Sequence, residues 1–379
     1  MSLIERLKAP AIGAFLAAAL VAPLPAAASA SELPMQRALN GVVEARGGPP
    51  GVFVVVQRKG LYENFEAGVA KVGAEKAPAR SFRIASVSKA FNAFLAVLLE
   101  RQGKLSLNER VHDAIPGVLP KAENVTLRQL LQHTSGIPDY IRAPAFVERF
   151  LADPTGYLAP HELTGFVRDT PLEFQPGSRY HYSDTDNIAA ALMMEAATGS
   201  SYAKLLETET FGLRNTTLPS DPVMPKPFIH GYEVEAGKKP EDVSEAISPS
   251  GAWASGGIVS TLMDLTRFAQ YQMPLLVKRA LSLKGAFRRG SSSPPGPGRN
   301  FAGLGIFRYV TACGTVYGHT GSFPGYRILL AGTADGSRTV AFVVNAQVVP
   351  GQGSPPALAA ILKAQRRAVC RALAPRGDL

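Results

Sequence analysis

Ser86 and Lys89 stand three residues apart in the stretch Ser81–Arg101, SFRIASVSKAFNAFLAVLLER. Residues at that spacing share one face of a helix, so a hydroxyl and an amine can meet there. A serine hydroxyl becomes a useful nucleophile only when a neighbouring base takes its proton. A lysine desolvated among apolar residues can be that base. The chemistry on offer is nucleophilic attack by an activated hydroxyl. Downstream, Ala90, Phe91, Ala93, Phe94, Leu95, Val97, Leu98 and Leu99 are apolar nearly all round, which predicts a helix buried at the centre of a domain, with Gly103 as its stop. A second S-x-x-K, Ser201 with Lys204, lies in an ordinary amphipathic stretch with nothing reactive beside it. The spacing alone therefore does not decide, and partners elsewhere in the chain must.

Two segments supply them. Tyr180–Asn187 reads YHYSDTDN and places a phenol, Tyr182, just before a helix; a phenol beside a lysine can shuttle protons. Gly318–Gly325 reads GHTGSFPG and puts His319, Thr320 and Gly321 on a strand, with glycines that let a substrate backbone come close. Other chemistries lack their signatures. His112, His133, His161, His181 and His230 show no zinc-ligand spacing and read as loop or packing residues, so no metal is expected. Asp184 and Asp186 form a carboxylate pair without further partners. The chain has no G-x-S-x-G elbow and no phosphate-cradling glycine loop, and no cofactor is expected.

Elements that could position these groups follow from pattern. Residues 32–46 read as a helix; Val52–Val56 and Tyr62–Val69 read as strands joined by a Lys59-Gly60 hairpin. From about Val111 to Ser244 the pattern is mostly helical. Thr126 caps a helix running through His133, and Asp186–Thr198 and Ser201–Glu209 form two more. In Gly251–Gln270 glycines precede an amphipathic helix, and Gly290–Arg299 is a connector. Strands return at Val316–Thr320, Tyr326–Ala331 and Arg338–Asn345, the last two joined at Asp335-Gly336, before a final helix over Pro356–Leu373. The expected fold is α/β in the α+β sense: an antiparallel sheet flanked by helices and built from both chain ends (about 31–110 and 245–379), with an inserted, mostly helical lobe (about 111–244). The cleft between the lobes is where a site belongs.

Composition sets the class. The 379 residues are 46% hydrophobic and 18% charged, as in a globular protein. The formal charge of +10 is scattered, without the aromatic-interleaved stripe that binds nucleic acid. Arg6 and Lys8, an apolar run from Ala9, and Ala28-Ser29-Ala30 predict a secretory signal over residues 1–30, hence a periplasmic or secreted protein. Prolines at 10, 23 and 25 argue against a spanning anchor, and no later segment looks membrane-spanning. Cys313 and Cys370 are the only cysteines; in an exported protein they read either as a disulfide or as two buried thiols.

With the three motifs in hand, the chain resembles the penicillin-recognising serine hydrolases, the serine β-lactamase and D-alanyl-D-alanine carboxypeptidase family. Ser86 to Lys89 match its S-x-x-K, Tyr182-Ser183-Asp184 match Y-x-N imperfectly, and His319-Thr320-Gly321 match K/H-T-G. LLQHTSG at Leu130–Gly136, GLRNT at Gly212–Thr216 and ASGGIVSTLMDL at Ala254–Leu265 also look like family segments, and the likeness runs over nearly the whole mature chain. The resemblance implies that Ser86 is acylated with Lys89 as base, that Tyr182 relays a proton to the leaving group, and that the N–H groups of Ser86 and Ser322 form the oxyanion hole. It implies that His319 replaces a cation, that Thr320 and Gly321 bind substrate, that Trp253 lines the cleft (a core aromatic being the other reading), and that Cys313 bonds to Cys370.

Two departures stand out. The family asparagine is Asp184, which can only accept a hydrogen bond when ionised and would favour the charged form of Lys89. The arginine expected to hold a substrate carboxylate is replaced by Phe307, leaving Arg308 and Arg327 as candidates. The leading reading is D-Ala-D-Ala carboxypeptidase-like action on peptidoglycan peptides, followed by a β-lactamase or small-ester hydrolase. A non-catalytic binder of cell-wall peptides is the reading of another class. His319 is expected to make activity vary between about pH 5 and 8.

Overall fold

A computed structural model describes residues 34–74, 81–289, 294–348 and 355–374. The expected signal segment lies outside them, as do residues 290–293 of the expected connector. Helix α1 (Pro34–Val43) leads into β1 (Gly51–Arg58) and β2 (Leu61–Gly68). The turn between them carries φ of +49° at Lys59 and +87° at Gly60, the left-handed pair that matches strand twist in a tight hairpin. Next come β3 (Ser81–Arg83) and the long helix α2 (Ser88–Arg101), then α3 (Val111–Ala114), α4 (Leu127–Leu131), α5 (Pro144–Ala152), α6 (Pro160–Gly165), α7 (Asp184–Thr198) and α8 (Tyr202–Glu209). The chain continues through β4 (Tyr232–Glu233), β5 (Glu241–Asp242), α9 (Trp253–Gly256), β6 (Val259–Thr261), α10 (Leu262–Arg267) and α11 (Met273–Ser282). It ends with β7 (Arg288–Arg289), β8 (Arg299–Ala302), β9 (Phe307–Thr311), β10 (Gly314–Phe323), β11 (Tyr326–Gly332), β12 (Arg338–Val344) and α12 (Pro355–Leu373).

The main sheet is antiparallel and eight-stranded, in the order β2-β1-β12-β11-β10-β9-β8-β7. Strand β1 pairs with β12 from Val52↔Val344 to Arg58↔Arg338, so the two chain ends share one sheet. Both faces of that sheet are covered, which is why GVFVVVQR is apolar almost without alternation and buried throughout. Val52, Val54 and Val56 pack with Met35, Leu39, Ile361 and Val369 of α1 and α12. Phe53, Ile328, Leu330 and Val343 join the core around α2 on the other face. Cys313 and Cys370 form a disulfide with Cα atoms 5.2 Å apart, tying the β9–β10 turn to α12.

Three expectations need correcting. Ser86 is not inside the helix but in a 3₁₀ turn, Ala85–Val87, that precedes it. The chain arrives extended, because β3 pairs with β6, and Ala85 turns it at φ +51°. The helix capped by Thr126 stops at Leu131, and His133 takes φ +52°. Strands β7 to β9 are not predicted, since their residues flank a Pro- and Gly-rich stretch and carry no hairpin dipeptide. Among the described residues no helix is long and apolar enough to cross a membrane.

Candidate active site

The nucleophile turn is held against β10 by a close approach that only glycine permits. A Cβ at Gly321 would overlap the carbonyl oxygen of Ile84 and press on Ala85. Ser86 is partly exposed beside this contact, whereas Lys89, one turn into α2, is fully buried. Lys89 Nζ lies 3.3 Å from Ser86 Oγ, donates to the Ser255 carbonyl at 2.8 Å, and meets Asp184 Oδ1 at 2.5 Å. The Tyr182 ring centroid is 4.9 Å from the same nitrogen, and its hydroxyl faces Ser86. The hydroxyl, the amine and the phenol thus converge from α2 and from the approach to α7.

Their electrostatics assign roles. Burial, reinforced by the Asp184 charge, pushes the Tyr182 phenol well above its ordinary range. It is therefore a neutral hydrogen-bond donor rather than a standing phenolate. His319 is buried, its ring centroid 6.2 Å from that of Tyr182. Nδ1 donates to the Thr320 carbonyl at 2.5 Å, since a carbonyl can only accept, and Nε2 is left as an acceptor. Burial and the nearby Lys89 pull its pKa down to about 3. His319 therefore stays neutral at ordinary pH; it does not stand in for a cation, and the expected pH 5–8 response cannot come from it.

Beyond Gly318, β10 has no β9 partner, which leaves that edge open where Ser322 sits. Ser322 and Ser86 line one cavity of about 250 Å³, with Asp184 at its wall. The rest of the lining is mainly apolar: Tyr140, Ile141, Phe146, Phe150 and Ile247. The motifs gave no sign of this pocket. Its residues come from the IPDYIRAPAF stretch after LLQHTSG, from Phe150 one helical turn beyond Phe146, and from a distant loop. Asp139 also escaped notice. It accepts the Asp184 N–H at 3.0 Å, and burial together with the Asp184 charge raises its pKa to about 7.

Other expected residues are placed elsewhere. Trp253 does not line the cavity; its ring packs 5.4 Å from Tyr202, as a core aromatic. Arg308 lies over the rings of Phe301 and Phe287, at 4.5 and 5.5 Å. Arg327 is buried and donates to the carbonyls of Val348 and Pro295, each at 3.0 Å. Neither guanidinium enters the cavity, because Arg308 is drawn to aromatic faces and Arg327 to main-chain acceptors. Thr320 Oγ1 is buried, with the Tyr309 hydroxyl as its neighbour. Among the described residues, no group of three or more His, Cys, Asp or Glu side chains could hold a metal ion.

A D-stereospecific amidohydrolase from Streptomyces sp. superposes with a TM-score of 0.73 at 29% identity, covering 87% of this chain and 97% of that one. The D-amino acid amidase from Ochrobactrum anthropi SV3, complexed with D-phenylalanine, shares the fold: TM-score 0.75, 23% identity, 89% and 98% coverage. Penicillin-binding protein 4* of Bacillus subtilis is 27% identical over 297 residues, 72% of this chain but 62% of its own length. The chain thus spans under two thirds of that relative. The Beta-lactamase family matches residues 20–364, and with an S-x-x-K serine at the cavity and a buried lysine and phenol beside that serine, the chain belongs to that family of serine hydrolases.

Proposed function

We propose that this protein is an exported serine hydrolase that cleaves amides or esters of apolar, D-configured amino acids through an acyl-enzyme. The observation that carries the reading is the cavity at Ser86, whose wall is mainly aromatic and aliphatic and which, among the described residues, no arginine lines. An apolar acyl side chain is rewarded there by transfer from water, whereas a free substrate carboxylate meets no guanidinium. Ser86 Oγ attacks the carbonyl as its proton passes to Lys89, and the oxyanion forms toward the Ser86 and Ser322 N–H groups. Tyr182 then donates its proton to the departing amine and recovers one from Lys89; water later releases the acyl group. The D-stereospecific relative supports the choice of configuration. Export is supported by the charged, apolar and small-residue pattern of the first thirty residues and by the disulfide.

Carboxypeptidase action on D-Ala-D-Ala peptides takes second place, because no arginine among the described residues lines the cavity to hold a terminal carboxylate. A β-lactamase would share the acylation step. Intact-mass spectrometry and turnover with D-phenylalanine amide, its L-enantiomer, a D-Ala-D-Ala peptide, benzylpenicillin and a p-nitrophenyl ester would separate these readings. The D-phenylalanine amide is expected to exceed the peptide by about tenfold in kcat/KM, the scale of filling an apolar pocket. Faster turnover of the peptide would select the carboxypeptidase, fastest turnover of penicillin the β-lactamase, and absence of any adduct a non-catalytic binder.

A further inference from the structure

We propose that His133 is a positioning residue that sets the Tyr182 phenol for proton delivery to the leaving group. The inference rests on the relay reading of Tyr182 above. His133 touches all three residues that carry the phenol into the site. Its carbonyl accepts the His181 N–H at 2.9 Å, and its Nδ1 lies 3.3 Å from the Ser183 nitrogen, whose N–H points at it. Between those two anchors, the imidazole stacks on the Tyr182 ring with centroids 4.4 Å apart and planes 28° apart.

The histidine is itself fixed from below. Nδ1 is 3.1 Å from Asp186 Oδ2, and Ser135 Oγ donates to Asp186 Oδ1 at 2.5 Å, all within a buried cluster. Burial drives the Asp186 carboxyl up and the His133 imidazolium down, each toward its neutral form. His133 also holds φ +52°, a region unfavourable for a residue with a side chain. A left-handed backbone, two main-chain grips and a ring stack aimed at one tripeptide exceed what filling a core requires. His133 touches neither Ser86 nor Lys89 in this arrangement; it acts through Tyr182.

The test separates leaving groups. Protonation by Tyr182 matters for an amide, whose amine departs poorly, and little for a p-nitrophenyl ester, whose phenolate departs unaided. Rates are taken per active site counted from the nitrophenolate burst, so loss of folded protein drops out. His133→Asn, which tolerates the left-handed backbone but lacks the ring, is expected to lower kcat on the amide by about 30-fold and on the ester by less than about threefold, with KM little changed, within the range of a misplaced general acid. Tyr182→Phe should show the same selectivity, more strongly. Asp186→Asn, which can still bond Nδ1, should stay near wild type, while Asp186→Leu should follow His133→Asn. Equal losses on amide and ester in His133→Asn, or no loss, overturn the inference while leaving the relay intact if Tyr182→Phe remains selective. A Tyr182→Phe enzyme that fails to discriminate the two leaving groups overturns both. Should His133→Asn not fold, the Asp186→Asn and Asp186→Leu pair decides by the same ratio.

Discussion

The chain writes S-x-x-K twice and uses it in two ways. At Ser201 and Lys204 the serine hydroxyl accepts the Lys204 backbone N–H at 3.3 Å and caps helix α8, while the lysine side chain reaches out to Glu207 at 3.0 Å. At Ser86 and Lys89 the serine stands in a 3₁₀ turn, its hydroxyl free for chemistry, and the lysine is wholly buried. The spacing is the same; the surroundings differ. In the exposed copy the hydroxyl is consumed by an orphan helix donor and the ammonium is hydrated. In the buried copy a strand enters the turn, a second strand closes over it through Gly321, and Asp184, Tyr182 and the Ser255 carbonyl face the amine. What makes a nucleophile is the company a serine keeps.

Exchanging the two sites by mutation gives the largest contrast. Ser86→Ala is expected to abolish covalent labelling by a fluorophosphonate probe, and Lys89→Met to slow acylation by about 10²–10⁴-fold as a general base is lost. Ser201→Ala should leave labelling unchanged and lower stability by about 1 kcal/mol through the missing cap. Labelling that survives Ser86→Ala would place the nucleophile elsewhere.

A smaller effect is expected within the buried copy. Asp184 draws Lys89 Nζ to 2.5 Å, closer than Ser86 at 3.3 Å, and so competes for its attention. Asp184→Asn should raise turnover of an amide, ester or β-lactam by about threefold to tenfold, because an amide side chain binds the amine less tightly and can donate to a substrate carbonyl. Steady-state rates check this, and an unchanged or lower rate would show that the carboxylate assists.

The mildest contrast concerns pH. Asp139 titrates at about 7 in the folded protein against 3.8 for an unperturbed side chain. The folded state keeps a proton that the unfolded chain has lost, so this group's contribution to stability is fully present below about pH 4 and falls away as pH climbs to about 7. Urea midpoints should decline over that window in wild type and decline less in Asp139→Asn. Ser201→Ala, which leaves Asp139 and Asp184 in place, should show the same decline as wild type.

Much of this is legible in the sequence itself. Val52–Val56 and Tyr62–Val69 read as strands and Lys59-Gly60 as their hairpin, whereas the cover on both faces of the first strand comes from helices and loops distant in sequence. The three motifs named Ser86, Lys89 and Tyr182 because chemistry restricts which side chains can serve. Recognition failed where position is set by tertiary packing. Arg308 and Arg327 looked like carboxylate clamps, yet carbonyls and rings far along the chain claim them. Trp253 sits next to cavity residues in sequence, but its ring faces Tyr202. Charge state was equally hidden, since His319 looked like a neutral-pH switch until its burial was known.

The pairing of β1 with β12 has a consequence for how such a molecule comes into being. The Gly51 N–H is answered by the Asn345 side chain, 294 residues later. A ribosome that has finished the nucleophile turn has therefore made none of the surface that shields it, and Gly321 is still to come. Half-made chains carry a serine and a lysine but no enzyme. Catalytic competence arrives all at once, when the carboxy-terminal strands slot between the first hairpin and the open edge.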